Sequence, residues 1–181
     1  MKKLFFIACM AMTLAIAPFT SCNKAESVPN EEKLQLEAPS GQRIAASASD
    51  LMKQSSTVIT ELFGKKQSFQ LTGVEYLNVS KGYAAIISYQ LSDGTVGNFA
   101  TIEGVSFKID ATSISTRKPA KKAKDDTVLA DESGSKVSLV CQKVPPTNCP
   151  CKIQGVLNTQ TGTITWKCDC QNDCEMVVII S

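Results

Sequence analysis

The stretch Tyr83-Ala84-Ala85-Ile86-Ile87-Ser88-Tyr89-Gln90-Leu91-Ser92-Asp93-Gly94-Thr95-Val96 decides what kind of fold this chain adopts. A run of β-branched, aromatic and small apolar residues leads directly into Asp-Gly, a pair that favours a tight hairpin turn because both positions tolerate the left-handed backbone. Val96 to Ile102 is then the returning strand. Upstream, Phe69-Gln70-Leu71 leads into Val74-Glu75-Tyr76-Leu77-Asn78-Val79, and Ser80-Lys81-Gly82 makes the turn that joins it to Tyr83. Downstream, Val105-Ser106-Phe107-Lys108-Ile109 reads as a fourth strand. Together these segments predict an antiparallel meander of three or four strands.

The segment before the meander has a different period. Ser47-Ala48-Ser49-Asp50 opens a helix, with Ser47 as the N-cap and Asp50 as its capping-box partner. Leu51, Val58, Ile59 and Leu62 fall near one helical face, with Ser55 a small gap in the stripe. Phe63-Gly64 closes the helix, since glycine takes the left-handed C-cap without a Cβ penalty, and Lys65-Lys66 follow beside the last carbonyls. Met52 and Phe63 at this spacing read as core residues. The expected fold class is α+β: one amphipathic helix packed on an antiparallel β meander, followed by a small cysteine-rich β-hairpin module. In outline the first part resembles cystatin-like or propeptide-like α+β modules, a likeness of shape that implies no activity.

Residues 111–135 interrupt the strand pattern. Arg117, Lys118, Lys121, Lys122 and Lys124 form a basic run, and Asp125, Asp126, Asp131 and Glu132 balance it. With acids so close and no aromatic residue interleaved, this reads as a solvated linker, not a nucleic-acid surface. The whole chain of 181 residues carries 19 basic and 17 acidic side chains, too even a balance for a nucleic-acid partner. Histidine is absent, which excludes Ser-His-Asp and Cys-His nucleophile pairs, His-ligated zinc chemistry and a histidine pH switch. No paired-carboxylate motif stands out. Asp93 and Asp110, at a turn and after a strand, are the nearest to one, so no catalytic residue is assigned and an enzymatic role is disfavoured.

Beyond residue 135 the chain is rich in cysteine: Cys141, Cys149, Cys151, Cys168, Cys170 and Cys174 all fall in its last 41 residues. An even count packed into so small a module reads as a disulfide framework in an oxidising compartment. Cys149, Cys151, Ile153, Gly155 and Leu157 share one strand face, as do Ile164, Trp166, Cys168 and Cys170 on the next strand. The turn Thr159-Gln160-Thr161-Gly162 sets a register with Asn158 opposite Thr163, Leu157 opposite Ile164, Gly155 opposite Trp166 and Ile153 opposite Cys168. Continued, it places Cys151 opposite Cys170, the expected bridge. A shift of two residues would pair Cys151 with Cys168 and Cys149 with Cys170 instead. The alternative use of this cluster is thiol chemistry: zinc or copper held by Cys149, Cys151, Cys168 and Cys170, or disulfide exchange. The Cys-x-Cys spacing spreads its sulfurs along an extended strand, so bridges without a metal cofactor are the primary expectation. Met176-Val177-Val178-Ile179-Ile180 suits a buried strand.

The N-terminus points to an address. Met1-Lys2-Lys3 is a positive lead, and the 18 residues from Leu4 to Ser21 carry no charge, reading as a secretory signal rather than a membrane span. They end in Phe19-Thr20-Ser21-Cys22. This resembles the lipobox of bacterial lipoproteins, with Phe19 where the family usually has leucine. The resemblance covers residues 1–22 and implies cleavage before Cys22, acylation of Cys22 (a palmitate-type modification) and a membrane partner reached through an N-terminal lipid anchor. Asn23 in place of aspartate implies outer-membrane sorting. Removal of Lys2 and Lys3 would leave 17 basic and 17 acidic residues.

The expected organisation is therefore a signal peptide at 1–21, a flexible tether at 22–43, an α+β module at 44–110, a charged linker at 111–135 and a cysteine-rich β module at 136–181. The expected role is non-catalytic binding or structural work at the cell envelope, with an envelope protein or glycan as partner and no nucleic acid.

Overall fold

The computed structural model describes residues 34–110, 136–143, 151–170 and 173–180. The signal segment, Cys22, the 111–135 linker and Cys149 lie outside the described residues.

Helix α1 (Ala48–Phe63) begins where the capping signal places it. The Ser47 side chain accepts a hydrogen bond from the Asp50 amide at 3.1 Å, and the Asp50 carboxylate accepts one from the Ala46 amide at 3.3 Å. The first bond meets a backbone donor that the opening helical turn cannot satisfy internally, and the second ties the residue before the cap to the helix. Gly64 ends the helix at φ 68°, a left-handed conformation that a Cβ would oppose.

The strands are β1 (Phe69–Tyr76), β2 (Tyr83–Leu91), β3 (Val96–Glu103), β4 (Phe107–Ile109), β5 (Val137–Lys143), β6 (Ile153–Asn158), β7 (Thr163–Cys168) and β8 (Cys174–Ile180). The first three make the expected meander, with Gly73 following a bulge in β1. β5 then pairs antiparallel with β3, and β8 with β5, giving a five-stranded sheet of order β1-β2-β3-β5-β8. Chain from both sides of the 111–135 segment thus shares one sheet.

The expected fourth strand of the meander follows a different course. Gly104, at φ 68°, turns the chain after β3. β4 then leaves the five-stranded sheet and pairs parallel with β7, Phe107 opposite Ile164 and Ile109 opposite Trp166. Phe107 is 2% exposed there, because it enters the core between the two sheets. The second sheet has order β4-β7-β6.

The molecule is layered as helix, five-stranded sheet and three-stranded sheet. On β2, Tyr83, Ala85, Ile87, Tyr89 and Leu91 face α1, while Ala84 and Ile86 face the smaller sheet. The same alternation puts Val140, Val177 and Ile179 under the helix and Leu139, Cys141, Met176 and Val178 against the smaller sheet. A sheet covered on both faces needs apolar residues at both parities. This accounts for the unbroken apolar runs Ala84–Ile87 and Met176–Ile179, where a half-exposed strand would alternate.

Within the span 22–43, residues 34–43 pack on the body. Leu34 and Ala38 are buried with the helix, and Ile44 follows them into the core. The backbones of Glu37 and Arg43 form an isolated antiparallel β-bridge, the Ile44 amide donates to the Leu36 carbonyl at 3.0 Å, and the Tyr76 hydroxyl donates to the Gln35 carbonyl at 2.9 Å. The Ser40 hydroxyl reaches the carbonyl of Gly82. Gly82 sits at φ 71° with its α-carbon so close to the Glu103 carbonyl that a Cβ would collide with it.

Candidate functional site

The hairpin β6–β7 adopts the expected register: Asn158 opposite Thr163, Leu157 opposite Ile164, Gly155 opposite Trp166 and Ile153 opposite Cys168. Asn158 Oδ1 accepts from the amides of Gln160 and Thr161, and Gly162 takes φ 67°, so local turn chemistry holds the register. The ladder extends as far as the Asp169 amide, which donates to the Lys152 carbonyl at 2.9 Å.

The sulfurs do not pair across this ladder, which corrects the expected Cys151–Cys170 bridge. Cys151 is bridged to Cys174, and Cys141 to Cys168, with Cα separations of 5.6 and 5.7 Å. Cys170 is also disulfide-bonded. The physical reason lies at Cys151, whose backbone turns left-handed at φ 45° and carries the residue out of the strand toward the start of β8. A parity argument holds only while the backbone remains extended. Neither of the two described bridges belongs to the two-residue slip either, because each joins the five-stranded sheet to the smaller one. Bridged cysteines offer no thiolate, so Cys151, Cys168 and Cys170 cannot ligate zinc or copper in this state. Among the described residues, no group of three or more potential ligands is arranged to hold a metal ion.

The two aspartates have local roles. Asp93 Oδ1 accepts from the Thr95 amide at 2.8 Å in the hairpin turn, and that bond holds its carboxyl below the usual range. The Asp110 amide donates to the Trp166 carbonyl at 2.8 Å, continuing the pairing of β4 with β7.

A second candidate lies between α1 and the five-stranded sheet, a cleft enclosing about 150 Å³. Leu51 and Val58 roof it, while Ile87, Phe99 and Ile179 form the floor. The space exists because Ser55 faces Thr101 and Ser138, three short side chains where branched aliphatics would otherwise meet. The Ser55 hydroxyl donates to the Leu51 carbonyl of its own helix at 2.7 Å. Thr101 Oγ1 is buried without a hydrogen bond, and the nearby Tyr83 hydroxyl gives its proton to Glu103 at 2.9 Å.

Lys136 stands on the wall of this cleft. Its amine donates to the Ile44 carbonyl at 3.0 Å and to Gln54 Oε1, and it lies 5.7 Å from the centre of the Tyr83 ring. Burial pushes its pKa down, with Glu103 and Asp50 opposing that shift. Glu103 also accepts from Gln42 Nε2 at 3.0 Å. This polar group therefore ties the segment before α1, the helix, β3 and the start of β5 together. Nothing in the sequence marked it: Lys136 is one of many lysines, and only its position ahead of the apolar run Val137–Cys141 sets it apart.

The tyrosines provide a test of this packing. Burial raises Tyr76 and Tyr89 to about 12, from an ordinary 10.0. Tyr83 is raised further, by burial first and then by its bond to Glu103. The unfolded chain loses these protons first, so their contribution to stability is whole below pH 10 and falls away as pH climbs toward 12. Lys136 acts in the opposite sense, because its folded state sheds the proton earlier, but it is one group against three. Ultraviolet titration of tyrosinate is expected to show no ionisation near pH 10 in folded protein, followed by a rise that coincides with unfolding. A normal phase near pH 10 for even one tyrosine would contradict the burial described.

No family model, curated protein or solved structure matches this chain.

Proposed function

We propose that the chain is a lipid-anchored protein of the bacterial envelope with a non-catalytic binding or structural role. The observation that carries this reading is Phe19-Thr20-Ser21-Cys22 at the end of an uncharged apolar stretch that follows Lys2-Lys3. Several acyl chains on one residue make a lasting anchor where one chain would be marginal. The disulfides support the same address, because such bridges persist outside the reducing cytoplasm. Asn23 in place of aspartate favours the outer membrane, and the partner is an envelope protein or a glycan.

The thiol-based alternative has less support. Cys141, Cys151, Cys168 and Cys174 are all buried, and exchange requires that a thiolate reach one of the sulfurs.

Metabolic labelling with palmitate tests the anchor. The native chain is expected to take up label and sediment with membranes, while Cys22→Ser loses the label and moves to the soluble fraction. Equal labelling of both chains, or a native chain that stays soluble, would overturn the reading.

A further inference from the structure

We infer that the cleft beneath α1 is a binding site for a small, uncharged apolar group, an aromatic ring or short alkyl unit of about six carbons. This inference deepens the proposed binding role and rests on it, but is independent of the anchor. Size comes first: a cavity of about 150 Å³ lined by leucine, isoleucine and phenylalanine stays dry and takes up benzene in other folds. The cleft beneath α1 encloses about 150 Å³ and presents Leu51, Val58, Ile87, Phe99 and Ile179.

Chemistry then narrows the ligand. Four hydroxyl side chains line the cleft, Ser55, Thr57, Thr101 and Ser138, and two of them make no demand on an occupant. Ser55 is committed to the Leu51 carbonyl, and Thr101 Oγ1 exposes no surface. At the wall, the Lys136 amine and Gln54 hold one another, and Gln54 Nε2 donates to Asp50 at 3.2 Å. An anion entering here would find the Lys136 charge already opposed by the nearby carboxylates of Glu103 and Asp50, and a cation would be repelled by the buried amine. An uncharged apolar group faces neither conflict and replaces missing dispersion contacts along the lining.

The experiment is methyl NMR on the full chain carrying Cys22→Ser, titrated with benzene, phenol, benzoate and benzylamine. Benzene and phenol are expected to give saturable shifts at Leu51, Val58, Ile87 and Ile179, with benzoate and benzylamine at least about tenfold weaker. Ile86, Ile102 and Leu139, on the opposite face of the sheet, should not move. Ser55→Leu fills the gap and should abolish the shifts. Should that variant fail to fold, Val58→Ala provides a second arm, since its enlarged cleft should bind naphthalene more tightly than the native one does. The inference is overturned by no saturable shift up to the solubility of benzene, by benzoate binding as tightly as benzene, or by binding that survives Ser55→Leu in folded protein. Chemical conversion of a probe, visible in its own spectrum, would instead defeat the non-catalytic reading while leaving the site in place.

Discussion

Replacing Cys141 and Cys168 together by alanine is expected to lower stability by about 3.5 kcal/mol, and replacing Cys151 and Cys174 together by nearly the same amount. The bridges close loops of similar length, with sequence separations of 27 and 23, so the chain entropy that each removes from the unfolded state is alike. Each also joins the two sheets across their shared core. Cys141 lies on β5 and Cys168 at the end of β7, while Cys174 opens β8 and Cys151 precedes β6. Small domains hold only about 5–15 kcal/mol in total, so one bridge is a large fraction of the margin. The loops interleave along the chain, and either bridge already restrains much of what the other would release. Losing both should therefore cost more than the sum of the single losses. Urea denaturation of the paired alanine variants measures this directly. Losses under about 1 kcal/mol for each pair would mean that apolar packing alone holds the sheets together.

Trp166→Ala is the substitution in the core with the largest expected effect, a loss of about 3–5 kcal/mol. The indole is fully buried between the sheets, stacked over Gly155 on the neighbouring strand. A Cβ at Gly155 would fall 2.5 Å from the ring and 2.8 Å from Leu77, so the glycine is what lets the ring lie flat on the hairpin. Packing is not the whole account. The indole Nε1 has no hydrogen-bond partner among the described residues, and a buried unpaired donor costs about 1–3 kcal/mol. Trp166→Phe keeps most of the ring and removes that donor. It should lose no more than about half of what alanine loses. A phenylalanine variant as unstable as the alanine one would show that the indole nitrogen is satisfied in solution, by a water for example.

The parts of this fold that were legible in the sequence are those decided within a few residues. Ser47, Asp50 and Gly64 set the helix ends through bonds and dihedrals of adjacent backbone. Asp93-Gly94 and Gly162 set two hairpins, and the alternation of Ile164, Trp166 and Cys168 against Ile153, Gly155 and Leu157 set the β6–β7 register. A slip by one residue there would bury Thr163, Thr165 and Lys167, so the apolar pattern admits a single phase.

Where the reading from sequence departed from the structure, a single backbone dihedral or a distant partner made the difference. Gly104 turned β4 toward β7, and Cys151 left its strand at φ 45°, which moved its sulfur from the neighbourhood of Cys170 to Cys174. Lys136 became part of a polar cluster with Tyr83, Gln54 and Glu103 only because β5 inserts beside β3.

By itself, then, the sequence of this protein determined a capped helix, a meander and a cysteine hairpin, each written in neighbouring residues. The tertiary structure decided the order of the five-stranded sheet, the partners of the described cysteines and the cleft under α1. Six chemically identical thiols and several equally apolar strands carry no label for their partners. The choice among them is made by which faces can be buried together, and that is a property of the assembled layers.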